Sequence, residues 1–162
     1  MRIRKGKLND IDQVTKYGIN MLKLHAELDP YFTPVEDADI MYRKFLKSCL
    51  SSEDRLLLVA EDKNRVVGYA AAEIQARSPI FKVSKNGYIN DVFVEEEYRK
   101  LGIATKFLSE LNEWFKSRSI EHIELSVISK NAVGKKAWAR FGFDSFEIKE
   151  RVEIKNINIE QC

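Results

Sequence analysis

The chain sets 27 Lys and Arg against 25 Asp and Glu over 162 residues, a formal net charge of +2, with 44% of its residues apolar and 32% charged. That length suits one domain with a real core, so a single domain over 1–162 is expected and wholesale disorder is excluded. The near balance of charge gives no support to a nucleic-acid partner, and the lack of an apolar run of about 18 residues predicts no membrane-spanning helix.

In chain order, residues 2–8 read as a short first strand ended by Asn9-Asp10. The opening MRIRKGKLND has no apolar signal core and is expected to belong to the mature fold. Ile11, Val14, Gly18, Met21 and His25 recur at helical spacing until Asp29-Pro30 breaks the helix. Thr33-Pro34-Val35-Glu36 predicts the next helix start: Thr33 caps, Pro34 suits the first turn, and Glu36 returns a bond to the cap amide. Ala38, Met41, Phe45 and Cys49 would form its buried face. Residues 56–60 and 66–74 read as strands joined by the polar turn Asp62-Lys63-Asn64-Arg65. Residues 75–87, with Pro79 and Asn86-Gly87, make a connection long enough to carry function.

Residues 88–94 are a third, strongly apolar strand. Ile103, Phe107, Leu108, Leu111, Trp114 and Phe115 then repeat at helical spacing, and 123–127 read as a strand. Residues 132–141 form a short helix stopped by Gly142 in a left-handed cap, and strand patterning runs from Phe143 to Ile157. The order is that of one α/β domain with a mixed sheet. Cys49 sits in an apolar stripe and Cys162 is the last residue, so no metal-spaced pair exists. A reduced, cytoplasmic setting without a metal is the expectation.

Chemistry is concentrated in Tyr98-Arg99-Lys100-Leu101-Gly102-Ile103-Ala104-Thr105, where a strand gives way to a helix. Gly102 permits positive φ and close approach of another molecule, and Ala104 and Thr105 keep the first helical turn small. The first amides of a helix lack internal partners and carry the positive end of its dipole, so such a start suits an anion, phosphate above all. Arg99 and Lys100 add charge at the rim. The spacing is neither G-x-G-x-x-G nor G-x-x-x-x-G-K-[ST], which disfavours those two phosphate sites. Taken alone, the stretch also reads as a turn with a solvated basic edge; the strand, helix, strand, short helix and Gly-Phe around it favour the phosphate site.

Arg99-Lys100-Leu101-Gly102-Ile103-Ala104 resembles the Arg/Gln-x-x-Gly-x-Gly/Ala core motif of the GCN5-related N-acetyltransferase (GNAT) family. Tyr88-Ile89-Asn90-Asp91-Val92-Phe93-Val94 is similar to the family's fourth strand, and the stretch from Asn131 through Trp138 to Gly142-Phe143 is similar to its late helix. The resemblance covers nearly the whole chain. It implies an α/β (α+β) fold with a twisted, mostly antiparallel mixed sheet of six to seven strands, about four flanking helices, and a splay between strands four and five.

The resemblance also implies acetyl-CoA as co-substrate. Amides of Arg99, Lys100, Leu101, Gly102, Ile103, Ala104 and Thr105 would hold its pyrophosphate. Main-chain groups of Val92, Phe93 and Val94 would pair with the pantetheine arm, and Asn131 would reach the arm from the other wall. Lys135 and Lys136 read better as solvated helix lysines than as phosphate ligands.

The implied reaction is attack of a neutral amine on a thioester. Alkylamines are mostly protonated at neutral pH, so a proton must leave. Many family members carry a fourth-strand carboxylate for this; here the matching residue is Asn90, which is no base. Strand alternation puts Asp91 on the opposite face, with Ile89 and Phe93. Glu73 and Glu124, on flanking strands, are candidates acting through water, and read more readily as exposed strand carboxylates. Where many members have an acidic tyrosine, this chain has Trp138, a poor general acid that would pack on the arm or fill the core. A mechanism dominated by positioning, with solvent handling protons, is expected.

In the family, acceptor specificity comes from the first two helices and the loop between strands three and four, here about 25–45 and 75–87. His25 to Phe32 mixes carboxylates with aromatics, which suits a cationic amine; Arg77, Lys82 and Lys85 make the second loop basic. These hints conflict, so the acceptor stays unspecified. The leading expectation is an acetyl-CoA-dependent N-acetyltransferase acting on a primary amine of a small molecule or peptide; the alternative is a non-catalytic acyl-CoA-binding sensor. A monomer and a homodimer both fit.

Overall fold

A computed structural model describes residues 1–158 of the chain, in two compact units: Met1–Lys130, and the segment from Asn131 onward. The first unit is built from β1 (Arg2–Lys5), α1 (Ile11–Leu28), α2 (Ala38–Ser51), β2 (Arg55–Asp62), β3 (Arg65–Ala76), β4 (Lys85–Val94), α3 (Ile103–Ser117) and β5 (Ile123–Glu124). The strands form one sheet in the order β1-β2-β3-β4-β5, antiparallel except for the parallel β4–β5 pair. No helix among the described residues is long and apolar enough to cross a membrane.

The predicted elements recur with shifted bounds. β1 stops at Lys5, because a 3-10 turn at Leu8–Asp10 takes over. Arg4 locks that corner: its two Nη atoms reach the two Asp10 oxygens at 2.7 and 2.9 Å, and its Nε reaches Glu61 at 2.7 Å. The β2–β3 turn is a two-residue hairpin with positive φ at Lys63 (48°) and Asn64 (63°), the hand that matches strand twist. β3 and β4 run further into the connection than their apolar pattern suggests, since Arg77 N still donates to Ser84 O at 2.8 Å.

Two helix expectations need correction. Thr33 does not cap α2. Its hydroxyl donates to Pro30 O at 2.6 Å and closes the 3-10 turn Pro30–Phe32, and α2 begins only at Ala38. The buried side of α2 is Leu46 and Cys49 with Tyr42 and Phe45 beside them, whereas Met41 stays 59% exposed.

Among the described residues the sheet has five strands, not six or seven. β5 pairs only at Gly87↔Ile123 and Tyr88↔Glu124, shorter than the apolar run 123–127. No strand follows Phe143 among the described residues; Ile154–Asn156 form a 3-10 turn instead. Alternating apolar residues make a strand only where a neighbouring edge accepts their main-chain bonds, and none is taken up here. Residues 159–162, Cys162 included, lie outside the described residues.

The two faces of the sheet carry separate packing. Ile11, Val14 and Tyr17 of α1 and Leu46 and Cys49 of α2 cluster with Leu57, Val59, Tyr69 and Ala71 on one face. α3 buries Ile103, Phe107, Leu111 and Phe115 on the other: a Cβ at Gly87 would sit 2.5 Å from the Phe115 ring. In the unit from Asn131, α4 (Ala132–Arg140) ends as expected, with Gly142 at φ 85° and Phe143 N donating to Trp138 O at 3.2 Å.

Candidate active site

β4 is where the geometry departs most from simple alternation. Its register with β3 pairs Ala71 with Asp91 but Ala72 with Ile89, so Asn90 is an extra, bulged residue. Paired residues share a face. Asp91 therefore follows Ala71 to the α1/α2 face, as Phe93 follows Tyr69, while Ile89 follows Ala72 to the α3 face. The expected grouping of Asp91 with Ile89 fails, and the expected separation of Asp91 from Asn90 fails with it. Asn90 Nδ2 donates to Glu73 Oε1 at 3.4 Å and the Tyr42 hydroxyl donates to Asp91 Oδ2 at 2.5 Å, both on the α1/α2 face. Strand patterning carried no sign of the bulge, because Asn90 continues a run that reads as unbroken.

Three carboxyl-bearing or amide side chains thus share that face. Glu73 accepts from Gln75 Nε2 at 2.9 Å and from Arg55 Nε at 3.1 Å. The Asn90 Oδ1 atom is buried and has no hydrogen-bond partner among the described residues. Asp91 lies deeper: Tyr42 bridges it to the Tyr69 hydroxyl, 2.8 Å away. Burial pushes the Asp91 carboxyl above the usual carboxylate range, against the pull of the Tyr42 bond. The same burial holds both tyrosine hydroxyls protonated. Gly18 of α1 makes room for this bridge, since a Cβ there would lie 2.1 Å from the Tyr42 ring. Glu124 sits on β5 opposite Tyr88, away from the Asn90–Asp91 cluster in register.

Beyond Tyr88, β4 has no ladder partner on its β5 side among the described residues, so the edge from Ile89 to Val94 is open there. Val92, Phe93 and Val94 end that edge. Tyr17 fixes it: its ring stacks on Phe93 at 4.6 Å, and its hydroxyl bonds Val66 O at 2.8 Å and the Glu95 carboxylate. Burial and the Glu95 charge push the Tyr17 hydroxyl up to about 12.

The chain then turns through Glu96–Tyr98 into Arg99, whose Nε donates back to Val94 O at 3.1 Å. Lys100 (φ 64°) and Gly102 (φ 77°) are both left-handed, and Leu101 between them is exposed. A Cβ at Gly102 would meet nothing within 4 Å, so the glycine is required by its backbone angle and open space lies in front of it. Gly102 is the N-cap of α3 and no side chain caps the helix, which leaves the first amides, Ile103, Ala104 and Thr105, without a side-chain acceptor.

In the second unit, Asn131 caps α4: its Oδ1 accepts from Gly134 N at 2.8 Å. Trp138 packs on Phe141 and edge-on against Phe143, with ring centroids 6.3 and 5.3 Å apart. Lys135 and Lys136 are exposed.

Residues 21–143 match the acetyltransferase (GNAT) family. The chain belongs to that family. It is 30% identical to an N-alpha-acetyltransferase of Sulfurisphaera tokodaii over 152 residues, 91% of this chain and 82% of the relative. Among solved structures it is similar to the BH1408 protein of Bacillus halodurans (tetramutant), with a TM-score of 0.83, 19% identity and coverage of 95% of this chain and 100% of that one. It is also similar to a predicted acetyltransferase of Clostridium acetobutylicum with acetyl-CoA, with a TM-score of 0.72, 22% identity and coverage of 96% and 97%. This GNAT chain is an N-acetyltransferase.

Proposed function

We propose that this GNAT protein moves the acetyl group of acetyl-CoA onto a primary amine of a small molecule or peptide, by direct attack on the thioester. The observation that carries this reading is the open edge of β4 running into the uncapped start of α3, with clear space in front of Gly102. These features fit a long, extended carrier with a diphosphate at one end. The relatives agree in kind, one named as an N-alpha-acetyltransferase and one solved with acetyl-CoA.

Acetyl-CoA supplies the activated acyl group. In this reading the amides from Arg99 to Thr105 take the diphosphate, with Arg99 and Lys100 adding positive charge. Val92, Phe93 and Val94 offer main-chain donors and acceptors to the pantetheine arm in the manner of a missing strand.

On the acceptor side, Asn90 Oδ1 is a buried acceptor waiting for a donor, and an amine N–H placed there satisfies it. Asn90 takes no proton; Glu73, held by Arg55, accepts it and hands it to water. Holding the amine in line accounts for most of the acceleration, up to roughly 7–11 kcal/mol in ideal cases.

Release of free CoA thiol, measured over a panel of amines, peptides and polyamines, tests the reading. Saturable turnover on at least one amine is expected. Tight acetyl-CoA binding with turnover on none would instead make the chain an acyl-CoA-binding module.

A further inference from the structure

Past α4 the second unit leaves large apolar side chains in the open. Phe146, Ile148, Val152 and Ile154 are between 57% and 88% exposed, which is unfavourable for a group of neighbours unless something covers them. All four hold even positions, so in an extended strand they share one face, broken only by Glu150. The odd positions between them, Glu147, Lys149, Arg151, Glu153 and Lys155, are exposed too and share the other face. The segment thus has the two-faced pattern of a strand. Yet no ladder takes it up among the described residues, and Ile154–Asn156 closes into a 3-10 turn.

The order of the charges says what covers it. Laid antiparallel on a second copy with Arg151 opposite Arg151, Glu147 faces Lys155 and Lys149 faces Glu153, and the two-fold symmetry makes each pair twice. On the other face Ile148 meets Ile154, and Val152 meets Glu150. Arg151 alone meets its like, and the second copy's Glu153 stands diagonally beside it. Neighbouring registers lose this match. Centred on Glu150, the pairing sets Glu147 against Glu153 and Lys149 against Arg151; centred on Val152, it sets Lys149 against Lys155. A slip of one strand by a single residue brings the apolar face of one copy level with the charged face of the other. In the single chain Lys155 Nζ reaches Glu153 Oε2 at 2.8 Å. Pairing gives up that contact in each copy and makes four ion pairs between copies.

We infer that residues 146–156 are a self-association segment, which pairs antiparallel with the same segment of a second copy about a two-fold axis at Arg151 and so builds a homodimer. The inference stands apart from the acetyl-transfer reading, and it leaves the five-stranded sheet of each chain as it is. A two-stranded ribbon is marginal on its own in water, so the dimer is reversible and dissociates on dilution. Its specificity comes from surface ion pairs, so it also weakens as sodium chloride rises.

Sedimentation equilibrium of the full chain over a range of concentrations is the test, and a reversible monomer–dimer equilibrium is expected. Lys149→Glu sets two carboxylates against each other, and Glu153→Lys sets two ammonium groups together. Each should raise the dimer dissociation constant at least roughly tenfold. Lys149→Glu and Glu153→Lys in one chain restore the match and should bring the constant back toward the parent value. These positions are exposed, so the far-ultraviolet spectrum should stay the same in all three variants. The register is read separately in a Cys162→Ser background. Arg151→Cys should oxidise to a disulfide-linked dimer, because the axis brings its two thiols together; Glu147→Cys should not, its two copies lying roughly 26 Å apart in the ribbon. A chain that stays monomeric throughout, a dimer indifferent to both single swaps, a double swap that fails to restore, or equal cross-linking at 147 and 151 would each overturn the inference.

Discussion

Gly18 stands where the Tyr42 ring crosses α1, and the two positions act as one contact. Alanine at an exposed helical position gains up to about 1 kcal/mol over glycine. Here the new methyl must push the ring away, and overpacking of that kind costs typically 1–3 kcal/mol. Gly18→Ala is therefore expected to lower the unfolding temperature in spite of its helix propensity. The ring's hydroxyl matters separately. Tyr42→Phe keeps the packing but removes the donor to Asp91, and an unsatisfied buried acceptor costs about 1–3 kcal/mol. Asp91 also sets a pH dependence. Burial raises its carboxyl in the folded state, so its protonated form favours folding below the ordinary carboxylate pKa, and that advantage fades as pH rises through the raised value. Denaturant unfolding from pH 4 to 7 should show Asp91→Asn gaining on the parent as pH increases; parallel curves would contradict it. Gly18 was visible in the sequence only as one member of an apolar stripe, because a missing side chain does not name the ring that fills its place.

At the scale of elements, the turn into α3 was legible from the sequence and the interior of β4 was not. Small residues and cations before a helical repeat fix a helix start through local rules, and Gly102 duly has φ 77°. Gly102→Val puts a branched side chain at that angle and into the open space ahead of α3. A loss of acetyl-CoA affinity of roughly tenfold or more, about 1.4 kcal/mol, is expected by calorimetry, with the far-ultraviolet spectrum preserved. The Asn90 bulge depends on how β4 registers with β3, a relation between distant segments that period-two patterning cannot see. The Arg4–Asp10 corner has its own pH signature. Burial alone would push the Asp10 carboxyl up, but the Arg4 fork and the Lys7 amide together hold it below its ordinary value. Its contribution is present above that ordinary value, near 3.8, and is lost as pH falls through the lower folded value. Arg4→Met should remove this acid-side loss, leaving a flatter stability curve below about pH 4.

Along the whole chain, the order of helices and strands was readable as far as α4, where local periodicity and capping agree. It failed after Phe143, where alternating apolar residues have no ladder to join among the described residues. The open β4 edge gives a test at this scale. If acetyl-CoA lies along it, hydrogen exchange of amides between Ile89 and Val94 should slow when acetyl-CoA is added, while β1 and β2 are unaffected. Unchanged exchange across 89–94 at saturating acetyl-CoA would rule out the strand-like pose.

One surplus amino acid lets β4 break its alternation and still keep its partners. Excising Asn90 would join Ile89 directly to Asp91, still opposite Ala72 and Ala71, and close the ladder into an uninterrupted pleat with Asp91 and Phe93 looking the same way as before. A one-residue deletion there should thus leave the Tyr17 ring on its stacked companion and take away only the kink and the buried amide that the extra residue supplies.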